Sequence, residues 1–179
     1  MIHKGNDWLV DNKWPIWVTM DRVIVSDLPA THGTYLLHIF MAQPHTLVIG
    51  RMGWQHLPGG HYFYVGSARG AGGLRARVGR HLRSDGTSHW HIDYLRAVAQ
   101  VRNVLYTVTD ISLECRWSQA LAQLPQAFIP VPHCGAGDCR SGCRAHLMAV
   151  PRRSDIARVQ LALQEITPTP IESLAPVVR

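Results

Sequence analysis

Nine consecutive positions, Gly33 to Met41, carry no formal charge and are apolar on both alternating faces. Tyr35, Leu37, Ile39 and Met41 take one face; Thr34, Leu36, His38 and Phe40 take the other. A period of two with little polarity on either side predicts a central strand. Residues 46–49 read as a second strand, residues 50–60 as an irregular glycine-rich connection, and the aromatic and β-branched run Tyr62, Phe63, Tyr64 and Val65 as a third. Short links between them predict an antiparallel meander. After a turn rich in glycine (Gly66, Gly70, Gly72, Gly73) the period lengthens, with Leu74, Val78 and Leu82 four residues apart. That spacing predicts a helix with one apolar stripe. At 100° per residue Arg77 and His81 fall together on one border of the stripe. Arg75, Arg80 and Arg83 spread over the outer face.

The remaining segments follow the same logic. Residues 89–95 begin a second helix, with Ser88 as its cap, and residues 101–108 form another strand. A third helix opens near Ser112 and sets Leu113, Trp117, Ala120, Leu121 and Leu124 at helical spacing. Residues 147–150 are a short final strand, and 154–166 a weak amphipathic helix. At the start, residues 22–25 read as a short strand, and Trp8, Trp14 and Trp17 as part of a packing extension. Pro168, Pro170 and Pro176 mark a tail expected to be loosely ordered. The expected class is α/β (α+β): a small central antiparallel β-sheet flanked by helices. The expected organisation is an extension over 1–30, a domain over 31–150 and a C-terminal helix and tail over 151–179.

Composition narrows the function. Lys plus Arg number 18 against 12 Asp plus Glu, for a net charge of +6. This balance favours an anionic partner, and arginine supplies most of it with a planar fork suited to phosphate. No stretch is apolar over the roughly 18 residues that a membrane span needs. No secretory leader is evident in the polar first residues, so the expected location is cytoplasmic, without membrane partners. Four cysteines in such a compartment suit thiols or metal ligands better than disulfides.

Two tyrosine motifs on successive strands, Gly33-Thr34-Tyr35 and Tyr64-Val65-Gly66, resemble the signature of the GIY-YIG nuclease superfamily. Ser67-Ala68 follows the second motif, Arg77-x-x-Arg80-His81 lies on the next helix, and Glu114 opens a later one. Order and spacing agree from Gly33 to about Leu124. Residues 89–95, Glu114-Cys115 and residues 138–147 resemble a smaller branch of Uri-type stand-alone proteins. The resemblance implies a GIY-YIG-like fold and a metal-dependent endonuclease that hydrolyses DNA phosphodiester bonds, with structure-dependent, repair-related cutting as the expected mode. Glu114 would hold Mg²⁺ or Mn²⁺, Arg77 would hold the scissile phosphate, and Tyr35, with Tyr64 beside it, would act as general base. His81 would reach the leaving group or a phosphate oxygen, and His91 would supply a further histidine. Arg69, Arg75, Arg80 and Arg83 would contact the nucleic acid.

The chemistry stands beside the name. A phosphodiester is an anion that resists attack, so hydrolysis needs an activated water and neutralised charge, and a metal ion can supply the second. Each residue also has an ordinary reading. A Glu in a first helical turn complements the helix dipole. A strand tyrosine ties its hydroxyl to a backbone carbonyl, and an arginine beside an apolar stripe snorkels. Cys134, Cys139, Cys143 and His146 form a second constellation, able to close a tetrahedral Zn²⁺ site. His133 is a substitute ligand, and Cys115 another from the third helix; a loop of reduced thiols is the competing reading. Two other functions remain open at this point: a non-catalytic nucleic-acid-binding module on a repurposed nuclease fold, and a protein-interaction domain stabilised by zinc.

Overall fold

A computed structural model describes residues 23–83, 90–150 and 156–174. Trp8, Trp14, Trp17, Ser88 and His89 lie outside these residues. The central strand of the sheet is β1 (Gly33–Met41), whose burial is almost complete on both faces. It pairs antiparallel with β4 (Gly60–Ala68) on one side and β5 (Gln100–Val108) on the other. Short strands close both flanks, β6 (Leu147–Val150) on β4 and β7 (Glu172–Leu174) on β5. The sheet order is therefore β6-β4-β1-β5-β7, antiparallel throughout, which bears out the mixed class with helices flanking a central sheet.

The alternation along β1 divides the core in two. Tyr35, Leu37, Ile39 and Met41 pack with Leu74, Val78 and Leu82 of α2 (Gly73–Leu82), and with Ile92 and Leu95 of α3 (His91–Arg96). Leu36, with Phe63, Val65 and Leu105, packs under Leu113, Trp117 and Leu121 at α4 (Glu114–Ala122), and under Val159 and Leu163 of α5 (Ile156–Gln164). Each face thus receives the stripe that the helical period presents.

Three elements depart from the sequence reading. Residues 22–25 read as a strand, but Val23–Asp27 forms a short helix, α1, which contacts α2. Its β-branched residues favour strands only weakly, and tertiary context overrides that preference. The connection over 50–60 is more regular than expected. A 3₁₀ turn at Gly50–Met52 joins β2 (His45–Val48) to β3 (Trp54–Leu57), and the two strands form a separate hairpin. Within the described residues the tail is ordered over 167–174. Thr107 Oγ1 donates to Pro170 O at 2.8 Å, and β7 completes the sheet beyond the prolines. Among the described residues, no helix is long and apolar enough to cross a membrane.

Candidate functional site

The two tyrosine motifs meet because β1 and β4 pair in a register that sets Tyr35 opposite Gly66 and Leu37 opposite Tyr64. A Cβ on Gly66 would lie 2.3 Å from Tyr35 Oη, so only glycine leaves room for that hydroxyl. Tyr35 and Tyr64 then edge an open cleft of about 430 Å³ with Ser67, Arg77, Trp90, His91 and Glu114. Five of the residues that the sequence points to (Tyr35, Tyr64, Arg77, His91 and Glu114) share this cleft.

His81 does not reach it as expected. Its side chain is buried under Tyr35, with Nε2 2.8 Å from Tyr35 Oη and Nδ1 3.6 Å from Asp93 Oδ1. It therefore stands behind the tyrosine and does not line the cleft. Burial pushes its pKa below the ordinary histidine value, although Asp93 opposes that shift. A neutral ring with its proton on Nδ1 can accept the Tyr35 O–H at Nε2. Burial foremost, and the neighbouring Tyr64, hold the Tyr35 hydroxyl well above the usual tyrosine range. Tyr64 is pushed above the ordinary tyrosine value by the same burial.

The arginines divide into two groups. Arg77 and Arg80 both pack on the Trp90 ring, at 4.1 and 4.4 Å from its centroid, and His81 meets the same ring edge-on. Arg80 also lies 3.7 Å from Asp93. Asp93 accepts the backbone N–H of Trp90 at 2.9 Å and so fixes the start of α3. Arg75, although exposed, donates to Leu28 O at 2.7 Å and ties α2 to the loop before β1. Arg69 and Arg83 are exposed on the surface. The sequence reading did not foresee the role of Trp90; its spacing from Arg77 carries no periodic signal.

Glu114 sits between two sites. Ser67 Oγ donates to its Oε2 at 3.0 Å, while His146 Nδ1 lies 3.1 Å from its Oε1. On its far side, His146 turns Nε2 to a group of thiols: Cys115, Cys139, Cys143 and His146 bring their ligand atoms within 4.8 Å of one another. The Cys115 and Cys139 sulfurs are 3.4 Å apart, and Cys115 Sγ lies 4.0 Å from His146 Nε2. Sulfurs bound tetrahedrally at about 2.3 Å would stand roughly 3.8 Å apart, so the group can hold a metal ion without rebuilding. Burial opposes ionisation of Cys139. The backbone N–H of Cys143, the Cys115 thiol and the Ser141 N–H outweigh it and bring this thiol down to about 6.

One expected ligand is corrected. Cys134 is not in the group; it is fully buried in the core, where burial pushes its thiol up to about 12. Its N–H bonds Val131 O, in a turn that places His133 at φ 63° and Gly135 at φ 74°. Cys115, from the first turn of α4, takes the fourth position. His133 is exposed and lies outside the group. The cysteine-bearing loop also supports the cleft wall. Gly135 N–H donates to His91 Nδ1 at 3.2 Å, and a Cβ on Gly135 would lie 2.9 Å from the Tyr64 ring.

No curated protein and no solved structure matches the chain. A family match covers residues 34–167, from the first buried residues of β1 past the end of α5, and includes every cleft and thiol residue described above. The chain therefore belongs to the family described as domain of unknown function DUF123.

Proposed function

We propose that the protein is a metal-dependent endonuclease acting on DNA, on a GIY-YIG-like nuclease fold. The observation that carries this reading is the convergence of Tyr35, Tyr64, Arg77 and Glu114 on one open cleft, from four separate elements, β1, β4, α2 and α4. Among the described residues two carboxylates edge this cleft, and of these Glu114 is half-buried and held by Ser67 while Asp138 is exposed. A single carboxylate suits Mg²⁺ or Mn²⁺, which keep several waters and take substrate oxygens as ligands. When bound there, the ion would supply Lewis-acid neutralisation of the phosphate.

The chain's own residues do the rest. Arg77 lies at the cleft with its guanidinium stacked on Trp90, which holds the fork ready for phosphate oxygens. Tyr35 is too weak an acid to be ionised beforehand. It accepts a proton from the attacking water as its own O–H passes to His81 Nε2, 2.8 Å away. Asp93 faces His81 Nδ1 and favours the imidazolium that results. His91, held by Gly135 N–H, lines the same cleft. Arg69 and Arg83 extend the positive surface for nucleic-acid backbone. The donor set of three thiols and one imidazole fits Zn²⁺, with a role in holding the loop over 133–146.

Cleavage of labelled plasmid and of branched or flapped DNA tests the reading. Assays with Mg²⁺, with Mn²⁺ or with no added divalent ion would compare the native protein with Glu114→Ala, both loaded beforehand with zinc. Cutting that requires metal and Glu114 is the expected result. A Glu114→Ala protein that cuts at the native rate removes Glu114 from the mechanism. One observation favours a second reading: Glu114 Oε1 already faces His146. If that contact is its whole purpose, the protein is a non-catalytic nucleic-acid-binding module, and salt-sensitive binding persists without cleavage.

A further inference from the structure

The thiol group and the cleft share structure at three points. Cys115 is a member of the group, and Glu114 precedes it in the first turn of α4. His146 presents Nε2 to the thiols and Nδ1 to Glu114 Oε1, 3.1 Å away. The turn at Gly135 holds His91 and packs beneath Tyr64. The imidazole is the telling group. Nδ1 is buried and has no well-aligned acceptor, although the carboxylate lies within reach. A buried polar nitrogen left in this way is costly. A metal at Nε2 would leave the proton on Nδ1 and orient the ring, and the carboxylate would complete a carboxylate–histidine–metal chain.

The geometry points to Glu114 as the carboxylate partner of a Zn²⁺ ion held by Cys115, Cys139, Cys143 and His146, so that filling the thiol site positions the cleft carboxylate. His146 is then the positioning residue between the two metals. This inference rests on the reading of Glu114 as the cleft's metal-binding carboxylate. It adds a regulation: a chain without zinc keeps its tyrosines and arginines but loses the fixed direction of Glu114. Ser67 holds only Oε2, so one of the two restraints on the carboxylate would be gone.

Linkage makes the coupling readable from the thiol side, without DNA. Co²⁺ is titrated into the full chain after metal removal under reducing conditions. Thiolate-to-cobalt and d–d absorption report the binding, and far-UV circular dichroism reports the fold. The native chain is expected to take one Co²⁺ with tetrahedral bands. Glu114→Ala is expected to weaken Co²⁺ binding roughly 10- to 100-fold, the usual effect of losing such a partner. Glu114→Gln keeps an acceptor oxygen without the charge and is expected to lose less; it serves as the test if the alanine variant does not fold. Glu165→Ala, at an exposed site past α5, is expected to bind like the native chain.

Native affinity in a folded Glu114→Ala or Glu114→Gln protein would overturn the inference, as would a folded native chain that binds no Co²⁺. Cleavage enters neither readout. A protein that cuts no DNA yet shows the Glu114-dependent affinity loses the nuclease reading alone; one that cuts, with Glu114-independent affinity, loses the coupling alone.

Discussion

At the scale of single residues, the cleft depends on one hydroxyl and the space left for it. Tyr35→Phe removes the proton path to His81, and a general-base contribution of roughly 10²- to 10⁴-fold should disappear from the cleavage rate. The thermal midpoint should move little, and a rate within threefold of native would remove Tyr35 from the proposed chemistry. Because the relay needs a neutral His81, whose pKa is lowered, cleavage should hold as pH falls through the ordinary histidine value. It should fail only on the acid side of it, as a pH–rate profile would show. Gly66→Ala would force a methyl to within 2.3 Å of Tyr35 Oη and should cost about 1–3 kcal/mol in chemical denaturation. Much of this was legible in the sequence. Helical period sets Arg77 on the border of the α2 stripe, whereas Tyr35, Tyr64 and Glu114 stand out only through the motifs that resemble the GIY-YIG signature. The thiols were less legible. Spacing cannot tell that the turn at Val131 sends Cys134 into the core, nor that Cys115, from a helix, replaces it.

At the scale of elements, each helix is held by one stripe and by a few polar ties. Trp117, fully buried on α4, donates its Nε1–H to Thr167 Oγ1 at 2.8 Å, and Thr167 Oγ1 in turn donates to Leu163 O. This locks α4 to the end of α5. Trp117→Ala should cost about 3–5 kcal/mol through the cavity it leaves. Thr167→Val, nearly the same shape, should cost about 1–3 kcal/mol by stranding the indole N–H. Equilibrium unfolding in urea measures both. β1 carries a pH-sensitive group as well. Burial, with the neighbouring His61, lowers the His38 pKa to about 4. The unfolded chain then binds the proton first, so stability is full above the ordinary histidine value and falls as pH drops from about 6.5 towards 4. His38→Gln should flatten that decline in pH-dependent melting. The elements that sequence missed are those without a long period. β3 has four residues bounded by Gly53, Pro58 and Gly59, and β7 has three after a proline. Both exist because a partner strand supplies the pairing, which local pattern does not display.

At the scale of the molecule, the net charge of +6 and the exposed Arg69 and Arg83 lie on a fold whose family match spans residues 34–167. If the chain binds DNA as proposed, the logarithm of its affinity should fall linearly with the logarithm of salt concentration, and Arg83→Ala should lower the magnitude of that slope by about one if the side chain meets a phosphate. An unchanged slope would place Arg83 off the binding track. The sheet has a further consequence through β7. β5 is nine residues long, and among the described residues its outer edge is paired over Val104 to Tyr106 by a strand of three. An edge that long is a template for another chain, and a short cover is one way in which proteins blunt it. A chain cut after residue 164 would leave that edge open and would also lose the Thr167 tie to Trp117. Such a chain would be prone to add strands from its own copies, appearing as concentration-dependent oligomers in light scattering. By that outcome the three residues of β7 would serve as a guard against self-assembly, a task separate from any chemistry in the cleft.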